Sequence, residues 1–149
     1  MICVRTLSEG DIDVVWELEQ ICFPDDPWSR SMFESELDNS LSVFLTAFDE
    51  KTGELAAYGG MWLMYDSGNI TNIAVRPSYR REGIGRRILR LLEKICRERG
   101  MEEITLEVRS KNEAAQCLYS SEGFEICGLR KGYYRNHEDA VIMTKKLKG

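Results

Sequence analysis

The chain has 149 residues, a formal net charge of -5 and a pI near 5.1, with 43% hydrophobic and 30% charged residues. That balance predicts one globular domain with a core, and it argues against a general nucleic-acid binder, although the patch around Arg80 is basic. No apolar run is long enough to span a bilayer, and the start Met1-Ile-Cys-Val-Arg-Thr lacks the charged-then-apolar order of a signal peptide. Cys3, Cys22, Cys96, Cys117 and Cys127 are scattered without a C-x-x-C, and the single histidine, His137, offers no zinc-ligand spacing. Reduced, partly buried thiols in a cytoplasmic protein without a metal are expected.

In chain order, residues 3–7 read as a short strand. Ser8, with Asp11 three residues on, can cap a helix marked by Ile12, Val15, Trp16, Leu18 and Cys22. Phe23-Pro-Asp-Asp-Pro-Trp28 is a loop broken by two prolines. A short helix then starts near Ser29 or Ser31, with Ser31 and Glu34 as a second capping pair, and runs to Leu37. Residues 43–48, 55–65 and a segment ending at Val75 read as an antiparallel meander, with turns at 49–53 and 66–68. Pro77 stops the third of these strands. Ile84, Ile88, Leu91, Leu92 and Ile95 recur at three- and four-residue spacing, a helix that ends at Gly100.

Ile104, Leu106 and Val108 alternate with Thr105 and Glu107, which predicts a strand. Residues 112–122 are a helix stopped by Gly123, and 124–134 and 140–147 are strands joined by the polar turn Arg135-Asn-His-Glu138. The order predicts an α+β domain spanning residues 1–149, with a mixed, mostly antiparallel central sheet, about four flanking helices and one strand–helix–strand crossover.

Arg76, Arg80, Arg81, Arg86 and Arg87 crowd the junction between the third meander strand and the long helix. A helix N-terminus carries partial positive charge and attracts Asp or Glu. Here it carries arginines, which repel it and one another. A bound polyanion accounts for that: free N–H groups, nearby guanidinium groups, and Gly83 and Gly85 for close approach make a phosphate site. A solvated basic face is the other reading of the same charges.

Arg80-Arg-Glu-Gly-Ile-Gly85 fits R-x-x-G-x-G, and Leu118-Tyr-Ser-Ser-Glu-Gly-Phe124 fits L-Y-x-x-x-G-F, with Asn112 seven residues before the tyrosine. In this order and spacing they resemble the GNAT N-acetyltransferases across the whole chain. Pro27-Trp-Ser29, Asn72-Ile-Ala-Val75, Leu106-Glu-Val-Arg109, Tyr133-Tyr134 and His137-Glu-Asp-Ala140 look like the RimI-like branch, which acetylates the N-terminal alanine of a small-subunit ribosomal protein. The loop carrying Asp25 and Asp26 departs from that branch in being longer and more acidic.

The resemblance implies acetyl-coenzyme A as cofactor, no metal, and a peptide or protein N-terminus as acceptor, a ribosomal protein by the narrower match. It implies no direct nucleic-acid partner and no membrane. The diphosphate would lie on Arg80, Arg81, Glu82, Gly83, Ile84, Gly85 and Arg86, chiefly on backbone N–H groups of Arg81, Gly83, Gly85 and Arg86. Ile73, Ala74 and Val75 would hold the pantetheine arm and polarise the thioester through backbone groups. Asn112 would hydrogen-bond the arm, and by spacing it shares a helix face with Gln116 and Tyr119.

The amine must be neutral to attack. Removing its proton at neutral pH costs roughly 1 kcal/mol for an α-amino group and about 5 kcal/mol for lysine. Glu107 is the candidate base for that step, and Tyr119 the acid that protonates the leaving thiolate. Trp28, Tyr133, Tyr134, Glu138 and Asp139 are candidates for the acceptor groove, as aromatics that wall it and carboxylates that steer an ammonium.

Gly83-Ile-Gly85 between a strand and a helix could also open a dinucleotide fingerprint, but the third glycine position is Ile88 and the loop is too long and too basic. No P-loop motif occurs. A non-catalytic acetyl-coenzyme A sensor, and an acetyltransferase for lysine or small amines, are the other readings. Cys117 lies two residues from Tyr119 and points from a different helix face, which favours direct transfer in a ternary complex over an acetyl-cysteine route.

Overall fold

The computed structural model describes residues 1–148. The elements are β1 (Ile2–Thr6), α1 (Ile12–Cys22), α2 (Arg30–Leu37), β2 (Ser42–Asp49), β3 (Leu55–Met64), β4 (Ser67–Val75), α3 (Ile84–Glu98), β5 (Glu103–Arg109), α4 (Glu113–Ser121), β6 (Glu125–Arg130) and β7 (Ala140–Lys146). The strands form one sheet in the order β1-β2-β3-β4-β5-β7-β6. Neighbours run antiparallel except β4 and β5, which the α3 crossover makes parallel. The mixed, mostly antiparallel sheet with four helices is as the sequence predicts.

β4 and β5 pair only where Ser67, Gly68 and Asn69 meet Glu103, Ile104 and Thr105. Beyond that point the two strands part. β4 shifts register opposite Gly60 and Met61, leaving Thr71 as a bulge, and keeps its ladder with β3 as far as Val75. β5 keeps its ladder with β7 as far as Arg109. A gap therefore opens in the middle of the sheet.

α1 and α2 cover one face. Ile12, Val15 and Leu18 pack with Phe33 on Phe44, Leu55, Tyr58 and Ala74. α3 and α4 cover the other, where Ile84, Ile88, Leu89 and Leu92 meet Ala57, Met61, Ile104, Leu106 and Val108, with Tyr119 and Phe124 at the α4 end. The Gly59-Gly60 pair inside β3 is explained by this double cover. A Cβ on Gly59 would lie 2.5 Å from Ile88 Cγ2, and one on Gly60 would lie 2.6 Å from the Phe44 ring.

Several boundaries differ from the sequence reading. Ser8 and Asp11 do form their box, with the Ser8 N–H and hydroxyl donating to Asp11 Oδ2 at 3.0 and 2.9 Å, but a 3-10 turn (Glu9–Asp11) precedes α1. α2 is capped by Ser29, whose hydroxyl accepts from Met32 N–H at 3.3 Å. The expected Ser31–Glu34 pair does not form, because Glu34 turns to Arg30. β6 stops at Arg130, short of Tyr134, because its register shifts between Ile126 and Gly128 and the chain turns at Gly132, φ +61°. The five thiols are free, but Cys3, Cys117 and Cys127 are exposed rather than partly buried. No helix among the described residues is long and apolar enough to cross a membrane.

Gly59→Ala should cost about 1–3 kcal/mol, since Ile88 is itself fully buried and has nowhere to retreat. A lower denaturant midpoint with an unchanged slope, in equilibrium unfolding, checks it.

Candidate active site

The lip of the gap formed by β4 is an open strand edge. Arg76 N–H donates to Ala56 O at 2.7 Å, so by the two-residue alternation of an antiparallel ladder Ala74 also turns its N–H and C=O to β3. Ile73 and Val75 turn theirs to the gap. Of the sequence candidates here, Ile73 and Val75 thus offer edge groups, whereas Ala74 offers none and buries its methyl on the α1 side. Val75 O is not idle: it accepts from Arg80 Nε at 3.1 Å and from the Cys22 thiol at 3.6 Å.

Beyond Val75, Pro77 opens a 3-10 turn (Pro77–Tyr79), anchored by the Tyr79 hydroxyl on Asp49 Oδ2 at 2.7 Å. The chain then takes positive φ at Arg81 (66°) and Gly83 (78°) and enters α3. None of the N–H groups of residues 81–86 finds a backbone acceptor among the described residues; Arg87 N–H is the first to do so, on Gly83 O at 3.0 Å. Six consecutive donors without a backbone acceptor, three of them at a helix N-terminus, could cradle an anion. A Cβ on Gly83 would meet nothing, so glycine is needed there for its φ; one on Gly85 would press Val75 Cγ2 at 3.2 Å.

The guanidinium groups are more engaged within the fold than the sequence suggests. Arg86 donates to Ser121 Oγ at 3.0 Å and to Glu122, and Arg90 Nε donates to Glu122 Oε1 at 2.7 Å. These bonds, Arg90's first, hold the Glu122 carboxyl down at about 2. Arg87 caps Ile2 O at 3.0 Å. The arginines thus strap α3 to α4 and β1, and what Arg81, Glu82, Gly83, Ile84, Gly85 and Arg86 leave open at this turn is backbone N–H groups.

Glu107 and Tyr119 sit on opposite faces of the sheet. Glu107 shares the α1 side with Thr105 and Arg109, opposite in sense to the buried Ile104, Leu106 and Val108. Tyr119 belongs to the α3–α4 cluster, its ring 5.9 Å from Phe124, and burial pushes its phenol up to about 12. The gap between β4 and β5 lies between the two faces that carry them. Asn112 caps α4, its Oδ1 accepting from Ala115 N–H at 3.1 Å. Gln116, on the same helix, is spent on Arg109 O and Ser110 O.

On the Glu107 side, the β6–β7 connection forms a wall. Glu107 Oε2 lies 3.0 Å from Arg130 Nε, yet this buried oxygen accepts no hydrogen bond. The Tyr133 phenol is raised by burial and then by the Glu107 charge. Tyr134 is pushed to about 12 by burial, its ring 4.0 Å beneath the Arg109 guanidinium.

Glu138 and Asp139 are both engaged within the fold. Glu138 pairs with Arg109 at 3.1 Å and accepts Lys111 N–H at 3.0 Å, contacts that lower its carboxyl, and Asp139 Oδ1 accepts Gly132 N–H at 2.9 Å. Their work is to shape the loop. Arg135 reaches Asp26 at 3.1 Å and ties that loop to the one between α1 and α2. Among the described residues no group of three His, Cys, Asp or Glu side chains converges as a metal site.

Sequence reasoning missed Glu19. It is 2% exposed and gathers the Tyr58 hydroxyl, Asn72 Nδ2 at 3.5 Å and the Trp28 N–H at 2.8 Å. These come from β3, β4 and the α1–α2 loop, so one carboxylate positions Trp28, whose ring lies 5.1 Å from Phe33. The signal was present: Ile12, Val15, Glu19 and Cys22 follow helical spacing, which puts a glutamate on the buried stripe.

Comparison with known proteins agrees with this geometry. The profile of the acetyltransferase (GNAT) family matches residues 12–124. A Bacillus subtilis protein provisionally named ribosomal protein bS18-alanine N-acetyltransferase is 41% identical over 142 residues, 94% of this chain and 92% of that protein. The ribosomal protein bS18-alanine N-acetyltransferase of Salmonella typhimurium is 36% identical over 148 residues, 97% of each. The crystal structure of the ribosomal-protein-S18-alanine N-acetyltransferase from Escherichia coli superposes with a TM-score of 0.89 at 32% identity, over 100% of this chain and 96% of that one.

The Glu122 strap makes acid stability a test of the cradle's support. Its folded value of about 2 lies below the ordinary carboxylate range, so its contribution is complete above about pH 5 and is lost as pH falls toward 2. Glu122→Gln should flatten that part of the acid-side slope, read from denaturant midpoints between pH 5 and 2.

Proposed function

This chain belongs to the GNAT acetyltransferase family, and from that premise we propose that it moves the acetyl group of acetyl-coenzyme A to the N-terminal α-amino group of a protein, the alanine of ribosomal protein bS18. The observation that carries the reading is the parted sheet, with an anion cradle at one end and a carboxylate and a phenol on its two faces. The site lies on a chain matched nearly end to end by relatives that bear that activity in their names. A ribosomal acceptor fits a cytoplasmic location.

Acetyl-coenzyme A supplies an activated acetyl thioester. The donors of residues 81–86 suit its diphosphate, and the open φ +78° turn at Gly83 leaves room for it. The edge groups of Ile73 and Val75 hold the pantetheine arm by strand-like hydrogen bonds, and an N–H among them polarises the carbonyl. Asn112 keeps its amide N–H₂ for the same arm while its oxygen caps α4.

Glu107 removes the proton of the acceptor amine, directly or through a water. The small cost of deprotonating an α-amino group, roughly 1 kcal/mol at neutral pH, is within reach of a carboxylate. Tyr119 stays protonated across the physiological range. Full transfer of its proton to a thiolate, from about 12 to about 8.5, runs uphill by about 5 kcal/mol. Tyr119 therefore acts as a hydrogen-bond donor to the departing sulfur, and the proton that ends there comes from the amine. The Tyr133–Tyr134 wall and Trp28 enclose the acceptor's first residues.

Thiol release from acetyl-coenzyme A should be fastest with a peptide that begins with alanine, slower with Ser or Met starts, and absent with N-terminally blocked peptides. Equal turnover of blocked, lysine-containing peptides would sink the reading. Tyr119→Phe should lower kcat about 100-fold with coenzyme affinity unchanged, by steady-state kinetics and calorimetry. Gly83→Ala should do the reverse. An alanine there escapes a cost of roughly 1–2 kcal/mol by relaxing the free loop away from φ +78°, and because coenzyme A must restore that turn it should bind about tenfold more weakly.

A further inference from the structure

Of the charged groups around Glu107 all but one are engaged elsewhere, and the Tyr133 hydroxyl faces it as a neutral hydrogen-bond donor. Arg109 is held by Glu138 and by the face of Tyr134. Asp26, from the α1–α2 loop, is held by Arg135. The phenols of Tyr133 and Tyr134 carry no charge at neutral pH. Arg130 remains, at the end of the edge strand β6, its side chain 55% exposed and its guanidinium 5.7 Å from the Tyr133 ring centre. Its Nε stands 3.0 Å from Glu107 Oε2 without hydrogen-bond geometry, so the contact is one of charge alone.

We propose that Arg130 sets which amines this site admits, by holding Glu107 with a guanidinium that the acceptor's ammonium group must displace. The inference rests on the acceptor reading of Glu107. A buried carboxylate oxygen with no hydrogen bond is a poor final state, and an ammonium group carries three N–H donors to correct it. The exchange replaces an undirected cation with a directed one and leaves the local charge unchanged.

A small free amine gains only that exchange. It competes with a tethered guanidinium whose effective concentration is roughly millimolar or higher. A peptide N-terminus brings further contacts along the Tyr133–Tyr134 wall and wins. Arg130 thus selects against small cationic amines while lowering peptide affinity somewhat, a specificity obtained by excluding competitors.

The test compares the wild-type protein with Arg130→Gln, Arg130→Met and Arg130→Lys, in the presence of coenzyme A. Met keeps the apolar stem over Tyr133, and an unchanged coenzyme affinity certifies each fold. The probes are an alanine-initiated peptide with a free amine, the same peptide N-terminally acetylated, and ethanolamine. The Gln and Met variants should bind the free-amine peptide about tenfold more tightly and the acetylated one as the wild type does. With acetyl-coenzyme A they should also acetylate ethanolamine, and Arg130→Lys should keep wild-type behaviour. Unchanged or weaker binding of the free-amine peptide, or equal changes for both peptides, would overturn the proposal. A wild-type protein that turns over ethanolamine but no peptide defeats the N-terminal reading itself, and this inference with it.

Discussion

Two neighbouring strands stop bonding to each other half-way along, and the rest of the molecule is arranged around that break. β5 is committed to β7 and β4 to β3, so their own ladder ends after Asn69 and Thr105. Unpaired backbone groups inside a sheet are costly. The fold limits the cost by turning Arg80 and Cys22 onto Val75 O, and by leaving the other edge groups where a ligand or water can reach them. The break also lies between the faces of the sheet that carry Glu107 and Tyr119.

Charge in this protein serves mostly to hold the site's frame. The arginines at the start of α3 read as ligand-binding groups, but Arg86 and Arg90 are fastened to Glu122 and Arg87 to Ile2 O. On the acceptor side Arg109 fastens Glu138, and Arg135 joins two loops through Asp26. The groups left without partners at the start of α3 are neutral backbone donors, which do not repel one another as guanidinium groups do. Glu19 is the reverse case, a buried carboxylate with neutral donors from three elements, and its burial is tolerable because each oxygen is hydrogen-bonded.

The periodic parts of the chain were legible. The alternation of Ile104, Leu106 and Val108, and the Ile84, Ile88, Leu92 stripe, report which face is buried, and that was enough to place β5, α3 and the outward-facing Glu107. Composition shows that the turn of Glu138 and Asp139 is acidic but not that its carboxylates are engaged by Arg109, Lys111 and Gly132. Glu19 was passed over because a charged residue within an apolar stripe is ordinarily exposed, and its partners Tyr58 and Asn72 are 39 and 53 residues away.

By itself, the sequence determined the order of elements, the crossover, the glycine-bearing loop after Val75 and the tyrosine before Gly123, because each of these depends on neighbours within a few residues. Tertiary structure decided which groups of that loop are left without partners, which arginines are engaged, and on which faces the carboxylate and the phenol stand. Those outcomes depend on contacts such as Arg86 with Glu122 and Glu107 with Arg130, between residues far apart in the chain, and no local pattern records them. Arg130 is the sharpest example: in the sequence it is one basic residue in a strand, and only folding sets it against the carboxylate whose access it controls.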